Sequence, residues 1–273
     1  MEARELLLAD GGKALMDLEK QTTEILLRLI YNSSLNIKQD FDKTSELNRY
    51  WEKYAPVQRG HKPRGEAFPW GEVGEKVIEG YLYSQVASYF EQVRFVGAPY
   101  GHDIRFTTKN AFIHIDAKST GPNDNPNEVV SSPNQVTGNG MIEEGGLVYN
   151  DYVNMAGPKM TRQFRPELPP FYIIDGNVLP TLTFYIKIVY DVHSLGRQPL
   201  QCLELISVPN GLTLFDGPNL SAQIPGLLTP GKDEVTVLRK RTRIKLDPLA
   251  RFQNWRCQKI IFSSGGPVLK PRL

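Results

Sequence analysis

Cysteine is nearly absent: among 273 residues only Cys202 and Cys257 occur. They lie far apart and fit no metal-ligand or redox spacing. Their scarcity suits a reducing compartment. Long apolar runs are missing too. No segment approaches the roughly 18 apolar residues of a membrane-spanning helix. The opening "MEARELLLADGGK" carries early acids and one short leucine run, so it reads as no secretory signal. These absences point to a cytoplasmic protein without a membrane partner. No internal repeat or clear linker is visible, and the length suits one large domain, 1–273.

Excess charge is also slight, +2 overall, but unevenly placed. From Lys232 to Leu273 eleven basic residues face three acids, so the rest of the chain is net acidic. Such an end suits a polyanion partner, and a solvated basic tail is the plainer reading.

Residues 14–31 place Leu15, Leu18, Ile25 and Leu29 at helical spacing. A second helix is expected from about Glu72 to Phe90, after a loop over 55–71 rich in Pro, Gly and basic residues. Then the period changes. "VRFVGAP", "HDIRFTT" and "AFIHIDAK" read as consecutive strands. Residues 119–170 read as mostly loop. Strands resume at "PFYIID", "TLTFYIKIVYDV" and "LQCLELISVP". After a Gly/Pro-rich stretch, "RKRTRIKL" would, as a strand, put Arg239, Arg241 and Arg243 on one face. Helices followed by mixed strands imply an α+β fold, with a central mixed sheet flanked by helices.

The strand "FIHIDAKST" is amphipathic in an unusual way. Ile113, Ile115 and Ala117 point to one face, and Phe112, His114, Asp116 and Lys118 to the other. Asp103 opens the preceding strand, and a hairpin would bring it beside Asp116. Two carboxylates and the Ala117 carbonyl are hard oxygen donors suited to Mg²⁺. A lysine beside them can orient an attacking water or stabilise charge on a phosphate. That set suits phosphodiester hydrolysis; a surface ion pair at a strand end is the alternative.

Asp103 followed by Asp116-Ala117-Lys118 resembles the signature of the PD-(D/E)xK nucleases. Longer stretches are similar to BglI-like type II restriction endonucleases of that superfamily, in the same order: "RGHKPRGEAFPWGEVGEKV" (59–77), "DAKSTGPNDNPNEVVSSPNQVTGNG" (116–140), "SVPNGLTLF" (207–215) and "PGKDEVTVLRKRTRIKLD" (230–247). The likeness spans about residues 50–247. It implies a restriction-endonuclease core over about 70–210 and a β-rich basic recognition region over about 225–250. It also implies Mg²⁺ as cofactor, with Mn²⁺ or Ca²⁺ able to substitute in binding, and no nucleotide cofactor. Asp103, Asp116 and the Ala117 carbonyl would be metal ligands, and Lys118 the catalytic lysine.

Asp124 matches a base-contacting aspartate, and Lys232, Arg241 and Arg243 match basic residues of the recognition surface, with Glu234 where relatives have Asp. His102 replaces the family's Pro before the first acid, and the connection from Asp103 to Asp116 is short. Arg and Lys read guanine while acids read cytosine, so this set suits G·C pairs. Asn134 and Gln135 would bond DNA backbone or a minor-groove edge, or else stabilise their own turn. Glu75 is either a helix-dipole partner or a third acid near the metal. His102 and His114 read as structural. The expected partners are double-stranded DNA, a second copy of the chain in a homodimer, and a cognate methyltransferase in a prokaryotic cytoplasm. The expected target is a two-fold symmetric, interrupted palindrome. A structure-selective repair or recombination nuclease, and an inactive DNA-binding protein, are the rival readings.

Overall fold

The computed structural model describes residues 3–46, 70–97, 103–142, 148–156, 161–194, 197–216, 224–231 and 241–273. The chain opens with a short helix α1 (Ala3–Leu8) and a long one, α2 (Lys13–Glu46). α2 runs well past the end expected at residue 31. Its buried stripe continues through Ser33, Ile37 and Phe41, one turn apart, and the serine hides it from an apolar-periodicity reading. Ser33 is satisfied by the Gln85 side chain at 2.9 Å. Helix α3 (Trp70–Tyr89) buries Ile78, Leu82 and Val86 at four-residue spacing. At Gly74 a Cβ would stand 3.0 Å from Ser119 Oγ and 3.1 Å from Ile188 Cδ1, so the bare backbone lets α3 sit close on the sheet.

Next come β1 (Arg94–Phe95), β2 (Ile104–Thr107) and β3 (Phe112–Thr120), the expected consecutive strands. The region 119–170, expected as mostly loop, holds β4 (Glu128–Ser131), a helical turn (Pro133–Gln135), β5 (Met141–Ile142), β6 (Val148–Tyr149), β7 (Val153–Ala156) and β8 (Thr161–Phe164). These short strands stand among many Gly, Pro and Asn residues, which carry the sequence signal of turns. β9 (Phe171–Ile174), β10 (Asn177–Tyr190) and β11 (Leu200–Val208) follow, then β12 (Leu228–Pro230), β13 (Thr242–Lys245), helix α4 (Leu246–Phe252), β14 (Cys257–Ser263) and β15 (Gly266–Pro271).

The main sheet has the order β1-β2-β3-β10-β11-β14-β15, with β9 paired to β10. β3 and β10 run parallel and their neighbours antiparallel, which makes the mixed sheet of an α+β fold. One face carries Ile113, Ile115, Ala117, Phe184, Ile186 and Ile188 into a core with α2 and α3. The other face packs Tyr185, Ile206 and Val208 against Ile244, Leu246 and Leu249. Those last residues belong to β13 and α4, so this face is roofed by a second sheet, β12-β13-β4. No helix among the described residues is long and apolar enough to cross a membrane.

Candidate active site

The C-terminal half of β3 outruns its antiparallel neighbour. β2 and β3 pair from Thr107↔Phe112 to Ile104↔Ile115. Beyond that point Asp103 stands in for a strand: its Oδ2 accepts the Ala117 N–H at 2.7 Å. The hairpin expected from sequence therefore forms, and it sets Asp103 beside the backbone of the Asp-Ala-Lys triplet. On the other edge β10 continues the pairing through Tyr185↔Asp116, Ile186↔Ala117 and Lys187↔Lys118.

Asp116 is buried at 2% exposure. Its Oδ1 accepts the Gln135 side-chain amide at 2.6 Å. Its Oδ2 meets the Lys118 ammonium at 2.5 Å as an ion pair. Burial pushes this carboxyl up to about 7, and the nearby Asp103 charge adds to the rise, while Lys118 and Gln135 pull against it. A buried carboxyl whose charge is disfavoured by burial and by a second acid nearby is what a hard cation would relieve. The donor set present therefore fits a divalent ion held by Asp103, Asp116 and the Ala117 carbonyl. Among the described residues no group of three or more His, Cys, Asp or Glu side chains converges for a metal.

Glu75 lies in the second turn of α3, because the helix starts two residues earlier than expected. It is far enough from the helix start to weaken the dipole explanation. Burial raises its carboxyl to about 7, with the Asp103 charge next in effect, and Lys118 and Asp116 also act on it. Glu75 thus belongs electrostatically to this cluster. His114 is fully buried against the Phe112 ring at 4.5 Å. Burial, with the charge of Arg105, lowers it to about 3, so it stays neutral and structural. His102 lies outside the described residues.

Gln135 takes the turn-stabilising alternative and also reaches Asp116. Its amide points inward to Asp116 and its Oε1 accepts the Ser132 N–H at 3.0 Å. The Tyr185 hydroxyl donates to the Gln135 carbonyl at 3.0 Å and also bonds Ser131. Asn134 sits half-buried in the same turn. Asp124 is exposed in the loop after β3, where its Oδ2 accepts the Gly121 N–H at 2.9 Å. Lys232, Glu234 and Arg239 lie outside the described residues. Arg241 immediately precedes β13 and keeps the expected alternation: Arg241, Arg243 and Lys245 are half-buried while Thr242 and Ile244 are buried, and the Arg241 carbonyl accepts from Gly231 at 2.8 Å and from Arg162. Arg243 is in β13 and forms an ion pair with the buried Glu128, which also takes Lys245.

Sequence reading passed over Glu128, Tyr185 and Lys187. The signal for two of them was present: "TLTFYIKIVY" interrupts an apolar strand with Tyr185 and Lys187, two positions apart and so on one face.

Comparison with known proteins gives consistent neighbours. A family model described as restriction endonuclease BglI matches residues 1–260. That span extends the likeness across α1 and α2 and into the start of β14, beyond the 50–247 read from motifs. The chain is 34% identical over 270 residues to the type II restriction enzyme BglI of Bacillus subtilis, covering 90% of each. Its fold matches the crystal structure of BglI bound to its DNA recognition sequence, with a TM-score of 0.84, 32% identity and 94% of each chain covered. Tetrameric SfiI bound to cognate DNA shares the fold at a TM-score of 0.66 and 15% identity, over 95% of this chain and 94% of that one.

Proposed function

This chain belongs to the BglI restriction endonuclease family, and we propose that it hydrolyses double-stranded DNA with Mg²⁺ at a two-fold symmetric, interrupted site containing G·C pairs. It is a type II restriction endonuclease acting on DNA. The observation that carries the chemistry is the pairing of Asp103 with the Ala117 amide while Asp116, one residue earlier on β3, is a buried carboxylate held between Gln135 and Lys118.

In this reading Asp103, Asp116 and the Ala117 carbonyl would hold the cation. When bound, such an ion lowers the pKa of a coordinated water and offsets charge on a phosphate oxygen. The protein groups do the rest. Gln135 fixes one oxygen of Asp116 and leaves the other facing Lys118. Lys118, whose side chain is about one-third exposed, can place its ammonium against the scissile phosphate and stabilise the charge that develops there. β10 backs the triplet residue for residue, so the three groups move as one rigid strand.

Asp124, Arg241, Arg243, Lys232 and Glu234 would read base edges, and Asn134 would contact the DNA backbone. A homodimer would place one such site on each strand of a palindrome. Such an enzyme would work in a prokaryotic cytoplasm beside a methyltransferase that protects the host's own sites. The test is digestion of sequenced plasmid DNA with Mg²⁺. Discrete fragments with fixed ends support the reading. A smear, or cutting only at junctions, would favour the structure-selective nuclease, and an A·T-only core site would overturn the G·C expectation.

A further inference from the structure

The side chain of Arg272, just past β15, is 3% exposed and spends its whole guanidinium on four partners. Nε donates to Asp247 of α4 at 2.8 Å, and Nη1 to both oxygens of Glu204 on β11 at 2.6 and 2.9 Å. Nη2 donates to the Pro126 carbonyl at 3.3 Å and to the Asn127 side chain. These contacts use the planar five-donor fork that only arginine offers. A second buried cation reaches the same loop. Lys187 Nζ donates to the carbonyls of Pro126 at 2.7 Å and Glu128 at 3.0 Å.

The loop held from beneath in this way joins β3 to β4. Its outer side is exposed and carries Asp124. Its last anchor leads directly into Glu128, whose carboxylate ties down Arg243 and Lys245. The Leu246 N–H, at the start of α4, donates to the Asn127 carbonyl at 3.0 Å and closes the frame. Burying charge is costly, and apolar side chains would hold these layers together at least as well. What the charges add is a fixed position for one exposed loop and one basic strand.

We propose that Arg272, with Lys187 and Glu128, is a positioning device for DNA sequence readout, holding the Asp124 loop and the Arg243 strand in register with the catalytic strand. This rests on the restriction-endonuclease reading above. Base choice, more than bond hydrolysis, depends on it. Arg272→Lys keeps a cation for Glu204 but cannot also reach Asp247, Pro126 and Asn127. Glu128→Gln keeps the volume but loses the charge that holds Arg243.

The experiment compares single-turnover cleavage of the cognate site with sites altered at one base pair, for the wild type and both variants, after thermal unfolding has established that they fold. The ratio of cognate to altered-site rates falls about tenfold in each variant, the scale of one misread base pair. An unchanged ratio, with both rates reduced alike or neither reduced, overturns the proposal. If Arg272→Lys does not fold, Glu128→Gln decides on the same ratio. A wild type that cuts at no defined site overturns the restriction reading and this inference with it. Defined wild-type cutting with variants that discriminate normally overturns the inference alone.

Discussion

Asp116 and Lys118 are two residues apart on one strand, yet their surroundings differ: the acid is 3% exposed at its side chain and the lysine 32%. That asymmetry suits an acid that holds an ion and a cation that meets a substrate. Replacing Lys118 by Ala should lower the cleavage rate by about 10³-fold or more, while DNA affinity with Ca²⁺ in place of Mg²⁺ changes little. Gel-shift titration beside single-turnover cleavage measures both. Gln135→Leu should slow cleavage by about 10- to 100-fold, the worth of a hydrogen bond to a charged group, and leave the preferred sequence unaltered. Relaxed sequence preference in that variant would instead return Gln135 to the DNA surface.

Lys187 gives a pH test. Burial lowers its folded-state value to about 8, from 10.5. Between those values the unfolded chain binds the extra proton, so this group's contribution to stability rises as pH climbs from about 8 to 10.5, and its penalty is complete below that window. Denaturation of the wild type and of Lys187→Met at both ends of the window isolates the effect. The wild type should gain on the variant as pH rises; a constant difference would remove the buried charge from the account.

At the scale of elements, α2 is locked to the sheet by a buried ion pair. Arg256 Nη2 meets Glu19 Oε2 at 2.6 Å with both side chains essentially inaccessible, and Glu19 Oε1 accepts the Asn210 N–H at 2.6 Å. The guanidinium also lies 4.2 Å from the Trp255 ring centroid. Glu19→Ala should cost about 3–5 kcal/mol, because it leaves a buried charge without its partner. Chemical denaturation measures it, and a loss below about 1 kcal/mol, the range of surface pairs, would contradict it.

The legible elements were those with a long period. α3 and the strands β3, β10 and β11 could be read because apolar residues recur over nine or more positions. The second half of α2 could not, since Ser33 and Ser34 occupy its buried face. β4 to β8 could not, since each is short and set among Gly, Pro and Asn residues that read as turns. In the site, Asp103, Asp116 and Lys118 were visible because β3 and its hairpin partner are local in sequence. Glu128 was missed because its partners Arg243 and Lys245 lie far away in sequence, on a roof that folds back over the sheet, which no local pattern encodes.

At the scale of the molecule, the parallel pair β3 and β10 divides two jobs. One sheet face is filled by α2 and α3 and makes the scaffold; the other supports the small sheet that carries Arg243. The Asp103, Asp116 and Lys118 cluster and Arg243 therefore share one base. In a homodimer this base is duplicated, and a mixed dimer of wild-type and Asp116→Asn chains should nick one strand of its site without breaking both. Accumulation of open-circular plasmid reports that outcome, and full linearisation at the wild-type rate would argue against one site per strand.

The most direct test of the central claim is single-turnover cleavage of plasmid DNA by the wild type and by Asp116→Asn across a Mg²⁺ titration. If Asp103 and Asp116 together hold the ion at the scissile phosphate, the wild type cuts in proportion to Mg²⁺ occupancy, and the variant binds DNA but does not cut at any concentration. A variant that cuts as fast as the wild type, or wild-type cutting in the presence of excess EDTA, would contradict it.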